Sequence, residues 1–263
     1  MTVYNKESLL NDLRKMGINP TDSLLVHASM KAIGQVEGGA DTVIDALMES
    51  VCDGRLMMPM HTWKQMSKEY FVYDPKTEEG CVGIIPNMFS KREGVVRSLH
   101  PTHSMAVWGK DAEEYIKGEE SCTTPCPPGG CWDRLRDINA KILLLGVNHI
   151  KNTYIHSVEE GYKVPERLTE ETTYFEIVMP DGSRKGVNMK RHYNRHTAHI
   201  SESFQKLAGA YEECGAAANV KLGDADCILC DAQGIYDVTR KVLSHEINCI
   251  IDRDEIPAEW WRD

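Results

Sequence analysis

One short apolar run constrains the fold more than any other feature of this sequence. Residues 142–145 are all apolar, and the run ends at Gly146. A segment of this length without polar alternation is typical of a strand that is buried on both faces, as the strands of parallel sheets are. A polar loop follows, and Thr153 is placed to cap the helical segment that comes next. The order strand, loop, helix predicts an open α/β sheet.

The helical segment after this strand carries one histidine and two carboxylates. His156 precedes Glu159 and Glu160 by three and four positions, and residues with that spacing are neighbours on a helix. A carboxylate that holds one imidazole nitrogen leaves the other free to take a proton, as a general base must. Open α/β sheets place their sites just past the carboxyl ends of strands. The position therefore favours a catalytic role for His156. On the spacing alone, an ordinary ion pair on a surface helix remains the alternative.

Length and composition restrict the class of protein. The chain has 263 residues and shows no clear boundary, so we expect a single domain over residues 1–263. The formal net charge of −10 argues against nucleic-acid binding and suits a small cationic substrate. No apolar run is long enough to span a bilayer, so we expect no membrane partner. The nine cysteines are scattered and no export signal is visible, which indicates reduced thiols in a cytoplasmic protein.

A second candidate site follows the first predicted strand, which covers residues 24–27. The chain continues through Ser29, Met30 and Lys31 towards a helix that begins near Asp41. Backbone N–H groups at such a turn can hold a phosphate, with Lys31 adding a positive charge. The segment is neither a Walker loop nor a dinucleotide fingerprint, so an ordinary turn between a strand and a helix remains the alternative.

Three further histidines raise the question of a metal site. His61 follows a predicted strand at residues 55–58, and His100 and His103 precede another strand at residues 104–108. Together they could serve a metal-dependent hydrolase, which would need bound zinc. The cysteines downstream of them match no zinc-site spacing, and we expect no metal.

The pattern changes after Pro165. Residues 174–179 alternate as a strand, a turn follows, and residues 186–190 return, which predicts a hairpin. The basic, histidine-rich segment 191–196 could face the substrate, but a solvated edge is the favoured interpretation. The polar segment 64–80 is interpreted as an irregular surface excursion that could shape a pocket. The predicted fold class is α/β: a layered α/β/α-type domain with a mixed central sheet and an added C-terminal antiparallel part.

Four blocks of sequence, in the same order along the chain, resemble the aminoglycoside 3-N-acetyltransferase family. These are acetyl-CoA-dependent antibiotic acetyltransferases distinct from the GNAT fold. The blocks are V-H-A-S-M-K-A-I-G at 26–34 with G-G at 38–39, M-P-M-H-T at 58–62, R-S-L-H-P-T-H-S at 97–104 with Gly109, and N-T-Y-I-H-S-V-E at 152–159. Each block alone is unspecific, whereas the ordered set is quite specific.

The resemblance implies an antibiotic-acetyltransferase-like domain that transfers acetyl directly from the thioester to an amine, without an acyl-enzyme. The family's H-x-x-E pair corresponds to His156 and Glu159, which makes Glu160 the less suitable partner. The implied acceptor is the 3-amino group of a 2-deoxystreptamine aminoglycoside. Another small amine is the first alternative, followed by the metal-dependent hydrolase and a pure binding module.

The resemblance also implies where acetyl-CoA would bind. The phosphates of coenzyme A would lie near Ser29, Met30 and Lys31, and Arg97 and Ser98 would form a second contact. The carboxylates that an aminoglycoside needs are expected from segments such as 69–79 or from the C-terminal third. A homodimer stays open at this point, as do the roles of four other histidines: His61, His100, His103 and His192.

Overall fold

The computed structural model describes residues 2–262. The strands are β1 (Val3–Tyr4), β2 (Ser23–Ala28), β3 (Gln35–Val36), β4 (Arg55–His61), β5 (Val72–Tyr73), β6 (Val96–Arg97), β7 (His103–Gly109), β8 (Lys141–Leu145), β9 (Thr173–Val178), β10 (Arg184–Met189), β11 (Ala217–Leu222) and β12 (Ala225–Asp231). The α-helices are α1 (Lys6–Lys15), α2 (Ala40–Ser50), α3 (Ile84–Phe89), α4 (Ala112–Tyr115), α5 (Arg134–Asp137), α6 (Tyr154–Gly161), α7 (Ala208–Glu213), α8 (Ala232–His245), α9 (Cys249–Asp252) and α10 (Glu259–Arg262). Short 3₁₀ helices cover Met30–Ala32, Glu119–Ser121, His149–Lys151 and Ile200–Leu207.

The central sheet is mixed and has the strand order β11-β12-β8-β2-β4-β7-β6. The strands β8, β2 and β4 are parallel, and the strands on either side of them join antiparallel. β8 therefore has a hydrogen-bonded partner on each edge and is an interior strand of the sheet. The predicted mixed sheet is confirmed, and β11 with β12 forms the predicted C-terminal antiparallel part.

Alternate residues of β8 face two different cores. Ile142 and Leu144 pack into one core, and Leu143 and Leu145 pack into the other. Helices α1 to α3 contribute to the core of Leu143, whereas α4 to α9 contribute to the core of Ile142. Helices thus cover both faces of the sheet, and the predicted α/β/α layering is confirmed.

Local sequence explains how α1 begins and how its apolar face is used. The side chain of Asn5 accepts a hydrogen bond of 2.9 Å from the amide of Ser8, and the two residues form a capping box. Leu9 and Leu13 on this helix are fully buried. Gly17 follows the helix with a φ of 81°, a conformation that glycine adopts without a steric cost.

The carboxyl ends of β2, β4 and β8 lie on one side of the sheet, and two of the loops that follow them are in close contact. Gly146, after β8, has a φ of 65°. A Cβ at this position would collide with the side chain of Ala32, in the turn after β2. The amide of Ser29 in that turn donates a hydrogen bond of 2.9 Å to the carbonyl of Leu145. Glycine at position 146 therefore allows the two loops to pack together.

A smaller sheet has the order β10-β9-β5. Its antiparallel β9–β10 pair is the predicted hairpin. The segment 64–80, predicted to be irregular, contains β5, which pairs in parallel with β9. A two-residue strand is too short to produce a periodic pattern, so the sequence could not reveal it. Among residues 2–262, no helix is long and apolar enough to cross a membrane.

Candidate active site

A cavity of about 690 Å³ opens where the parallel strands end. Its volume is in the range of sites that hold small molecules. Histidines from β2, β4, the start of β7, α6 and the segments after β10 line it: His27, His61, His103, His156, His192 and His199. The fold therefore gathers at one place residues that are far apart in the sequence.

His156 and Glu159 face each other on α6. The distance between His156 Nδ1 and Glu159 Oε2 is 3.6 Å, and the side chains are 11% and 1% exposed. Neither of these two atoms has a hydrogen-bond partner in the described chain. A small closing movement would join them, as often happens when a catalytic complex forms. The structure thus brings together the two residues that the sequence predicts to be catalytic.

The other oxygen of Glu159 is held by a buried arginine. Arg167 Nε donates a hydrogen bond of 2.7 Å to Glu159 Oε1, and the two side chains are 2% and 1% exposed. Glu160 is used elsewhere, because its Oε1 accepts a hydrogen bond of 2.8 Å from the amide of Cys126. The geometry therefore pairs Glu159, and not Glu160, with His156.

Burial controls the charge of these groups. It lowers the pKa of His156 to about 3, and the nearby charge of Arg167 contributes to that lowering. The imidazole is therefore neutral at physiological pH and free to accept a proton. Burial raises the pKa of Glu159, while Arg167 opposes that change. The pKa of Glu160 is raised to about 7, again mainly by burial.

Two aromatic rings hold the imidazole of His156. The ring centroid of His192 lies 4.0 Å away and that of Phe204 lies 4.7 Å away, the latter edge-on. Of the two interpretations that the sequence leaves for segment 191–196, His192 agrees with the less favoured one, because it lines the cavity rather than a solvated edge. The sequence singles out the segment as rich in histidine, but only the chain path after β10 brings this residue to α6.

Thr153 has a different role from the predicted helix cap. Its side chain makes no capping hydrogen bond to α6. Its Oγ1 instead lies 3.0 Å from Nε2 of His61. Burial holds the pKa of His61 and of the neighbouring His103 well below the ordinary histidine value. The hydroxyl thus orients a neutral imidazole in the wall of the cavity.

The ligand set of the hydrolase alternative is not assembled. His100 Nδ1 accepts hydrogen bonds from the amides of Thr102 and His103, and its Nε2 lies 3.0 Å from the carbonyl oxygen of Thr124. With both nitrogens used by the main chain, His100 has no lone pair for a metal. Another group of potential ligands within residues 2–262 is Cys126, Glu160 and His192. Burial keeps the pKa of the Cys126 thiol well above its usual value, which favours the protonated thiol over a thiolate ligand.

The predicted cofactor residues fall into two groups. Met30 and Lys31 begin the 3₁₀ turn after β2, where the first amides of a helix lack internal acceptors, and the side chain of Lys31 is exposed. Arg97 donates to main-chain carbonyls, among them that of Met60 at 3.0 Å. Ser98 is fully buried and accepts from the amide of Met105 at 3.0 Å. None of the five predicted cofactor residues lines the cavity, but the group at positions 29–31 directly follows Ala28, which does.

The fold and this site define a class of protein. A neutral imidazole backed by a buried carboxylate, beside a cavity for a small molecule, is typical of enzymes that remove a proton from a bound substrate. A family model described as aminoglycoside 3-N-acetyltransferase matches residues 25–244. The chain belongs to this family. The predicted family and the predicted acyltransferase class are therefore confirmed.

Individual relatives agree with this assignment. The chain is 28% identical to aminoglycoside N(3)-acetyltransferase III of Salmonella sp. over 260 residues, which cover 89% of each protein. It is 31% identical to aminoglycoside N(3)-acetyltransferase IV of Salmonella sp. over 182 residues, which cover 68% of this chain and 66% of that protein.

Solved structures share the fold. Aminoglycoside acetyltransferase AAC(3)-IVa, crystallised as a histidine-to-alanine variant in complex with a gentamicin, has a TM-score of 0.80 and 26% identity over 94% of this chain and 91% of that one. AAC-IIIb, solved as a binary complex with CoASH, has a TM-score of 0.80 and 20% identity over 93% of this chain and 97% of that one. The predicted use of acetyl-CoA agrees with these relationships.

Proposed function

We propose that this protein transfers the acetyl group of acetyl-CoA directly to a primary amine bound in the cavity, with His156 as the general base. The acceptor that family membership supports is the 3-amino group of a 2-deoxystreptamine aminoglycoside. The observation that carries the proposal is the pair of His156 and Glu159 at the cavity, in a chain that belongs to an acetyltransferase family.

The chemistry requires a base because an ammonium cannot attack a carbonyl. The neutral imidazole of His156 takes a proton from the acceptor nitrogen, which then forms a bond to the thioester carbon. This attack gives a tetrahedral intermediate. As the intermediate collapses, the carbon–sulfur bond breaks, and the sulfur of coenzyme A leaves with the electron pair and takes the proton from His156. Glu159 stabilises the transient imidazolium from behind, as the carboxylate of a catalytic triad does. The products are the acetamide and the free thiol, and no cysteine nucleophile is needed.

The turn after β2 is proposed to hold the phosphates of coenzyme A. Ser29, Met30 and Lys31 precede α2 and directly follow Ala28, which lines the cavity. Bound there, the cofactor directs its thioester towards the ends of the parallel strands. Arg97 and Ser98 stay a prediction for a second contact, with no support from the cavity lining.

The base is tested by replacing His156 with alanine. We expect acetyl transfer to fall by roughly 10²–10⁴, the usual effect of losing a general base, while the dissociation constant of acetyl-CoA changes little. Thiol release and calorimetric titration measure the two quantities. His196→Ala is the matched control, because His196 belongs to the histidine-rich segment 191–196 but does not line the cavity. Turnover of the His156 variant within tenfold of wild type would remove His156 from the mechanism.

The acceptor is tested by offering kanamycin, gentamicin, neomycin and simple amines, with products identified by mass. A second candidate acceptor, a small amine that is not a polycation, is favoured by one observation. Among the described residues, those lining the cavity include no aspartate and no glutamate, whereas recognition of several ammonium groups needs carboxylates. Acetylation of aminoglycosides would support the first candidate, and acetylation confined to simple amines would support the second.

A further inference from the structure

The tetrahedral intermediate of the proposed transfer carries a negative charge that His156 and Glu159 do not stabilise. As the amine attacks, the carbonyl oxygen of the thioester becomes an oxyanion. Enzymes that transfer acyl groups place hydrogen-bond donors where this charge develops, and a side-chain hydroxyl is one such donor. A donor of this kind has to lie in the cavity wall close to His156.

Thr153 lies one helical turn before His156, and both residues line the cavity. Thr153 has helical dihedral angles, with φ −59° and ψ −24°. Its carbonyl accepts a hydrogen bond of 3.0 Å from the amide of His156. In this geometry residues three apart are neighbours, with about 5–6 Å between their Cβ atoms. A thioester carbon that is attacked beside His156 is therefore also close to the hydroxyl of Thr153.

Within residues 2–262, the hydroxyl of Thr153 has a single hydrogen-bond partner. It makes no capping bond to α6, and its Oγ1 lies 3.0 Å from Nε2 of His61. Burial keeps the pKa of His61 well below the ordinary histidine value. The imidazole of His61 is therefore neutral, and only one of its two nitrogens carries a hydrogen.

The surroundings of His61 indicate which nitrogen that is. Its Nδ1 is buried and has no partner in the described chain. A hydrogen on Nδ1 would be a buried donor without an acceptor, which is rare in folded proteins. A hydrogen on Nε2 instead donates to Oγ1 of Thr153. The hydroxyl then accepts from His61 and keeps its own hydrogen free for a ligand in the cavity.

The start of α6 favours negative charge at the same place. The helix begins at Tyr154, and Ile150, Lys151 and Thr153, which precede it, all line the cavity. A helix N-terminus carries a partial positive charge, and its effect is strongest within the first turn. An oxyanion beside Thr153 lies within that range.

We propose that the hydroxyl of Thr153 donates a hydrogen bond to the thioester carbonyl oxygen of acetyl-CoA and stabilises the oxyanion, while His61 positions that hydroxyl. The inference rests on the proposed acetyl transfer and adds a catalytic residue to it. The carbonyl oxygen gains negative charge as the nitrogen–carbon bond forms and returns it as the carbon–sulfur bond breaks. Thr153 keeps its proton throughout.

Thr153→Val removes the hydroxyl and keeps the shape of the side chain. We expect kcat to fall by roughly 10²–10³, the usual effect of losing one oxyanion donor, with the amine that wild type acetylates best. The dissociation constant of acetyl-CoA and the pH profile should change little, because His156 is intact. Thr153→Ser should restore most of the turnover. Thr239→Val is the control, because it removes a buried hydroxyl that donates to the carbonyl of Ile235 at 2.7 Å and does not line the cavity.

Infrared spectroscopy of bound acetyl-CoA with a ¹³C-labelled carbonyl, without an amine, measures the hydrogen bond directly. A hydrogen bond weakens the carbonyl bond, so its stretching frequency should be lower in wild type, Thr153→Ser and Thr239→Val than in Thr153→Val. Equal frequencies in wild type and Thr153→Val would overturn the proposed contact.

The positioning role of His61 is tested by two substitutions. His61→Gln keeps an N–H donor near the position of Nε2, whereas His61→Phe removes it. We expect His61→Phe to lower kcat more than His61→Gln does. His61→Phe should also add little to the loss caused by Thr153→Val, because both act on one hydrogen bond. Equal losses for the two His61 variants, or additive losses in the double variant, would overturn the role of His61.

The outcomes separate this inference from the proposed function. Thiol release by Thr153→Val that equals release by wild type would overturn the role of Thr153 and leave acetyl transfer intact. No thiol release by wild type with any amine, aminoglycosides included, would overturn both. An active wild type, together with a slow Thr153→Val in which the carbonyl frequency is higher, would support both.

Discussion

Arg167→Met is the substitution for which the structure gives the most specific expectation. It replaces the guanidinium that donates at 2.7 Å to Glu159 with an apolar side chain of similar length. Both partners are almost fully buried, at 2% and 1% exposure. Removing one member of a buried pair leaves an uncompensated charge and costs about 3–5 kcal/mol. At roughly 2–4 °C per kcal/mol for a domain approaching this size, we expect Tm to fall by roughly 6–20 °C.

The pH dependence of that loss has a definite sign. Burial raises the pKa of Glu159 and Arg167 lowers it, so the variant should have a higher pKa for Glu159 than wild type. A carboxyl whose pKa is higher in the native than in the unfolded state stabilises the protein at low pH and loses that contribution as pH rises through the native pKa. The variant should therefore lose more stability at pH 8 than at pH 5.

Thermal unfolding at both pH values, together with a double-mutant cycle, checks this reasoning. Glu159→Gln combined with Arg167→Met removes both charges, so the double variant should be more stable than the sum of the single effects indicates. It should also lack the added pH dependence. A loss below about 1 kcal/mol for Arg167→Met, the size of an exposed ion pair, would show that the pair is not buried as described.

Two further predictions concern a second carboxyl and the cofactor. Burial raises the pKa of Glu160 to about 7, so wild type should lose stability as pH rises from the ordinary carboxyl range through 7. Glu160→Gln should remove on the order of 3 kcal/mol of this pH dependence of the free energy of unfolding, measured by denaturant unfolding. Lys31→Ala should weaken acetyl-CoA binding by roughly 1–3 kcal/mol in calorimetry and leave turnover at saturation unchanged. Lys15→Ala on α1, where Lys15 pairs with Asp12, is the control. An unchanged dissociation constant for Lys31→Ala would place the phosphates elsewhere.

The sequence predicts those parts of the fold that depend on local pattern. The apolar run in β8, the hairpin of β9 and β10 and the spacing of His156 and Glu159 are all signals within a few residues. β5 has no such signal, because it exists only through its pairing with β9. The type of a long helix or strand can be predicted from short-range periodicity. A two-residue strand has no such periodicity and is defined only by its hydrogen bonds to a partner strand.

The site is less predictable than the fold, because burial and chain path decide it. His192 is 36 positions from His156 in the sequence and packs on it only through the return of the chain after β10. Thr153 carries the sequence signature of a helix cap, but its hydroxyl lies beside the imidazole of His61. The net charge of the chain similarly gave no sign of a cavity whose charged lining is cationic. Each of these features depends on contacts between distant segments, which local propensity does not describe.

The low pKa of His156 determines how the proposed base would act. An imidazole with a pKa of about 3 is available as a neutral acceptor at physiological pH, but its protonated form is unstable. The departing sulfur of coenzyme A is a much stronger acceptor, since an ordinary thiol has a pKa of about 8.5. Arg167 prevents Glu159 from offsetting this instability fully, because it occupies the other carboxylate oxygen. His156 is therefore suited to carry a proton from the amine to the thiolate within one turnover. Because His156 and Glu159 are buried, the imidazolium is unstable and passes its proton on rapidly.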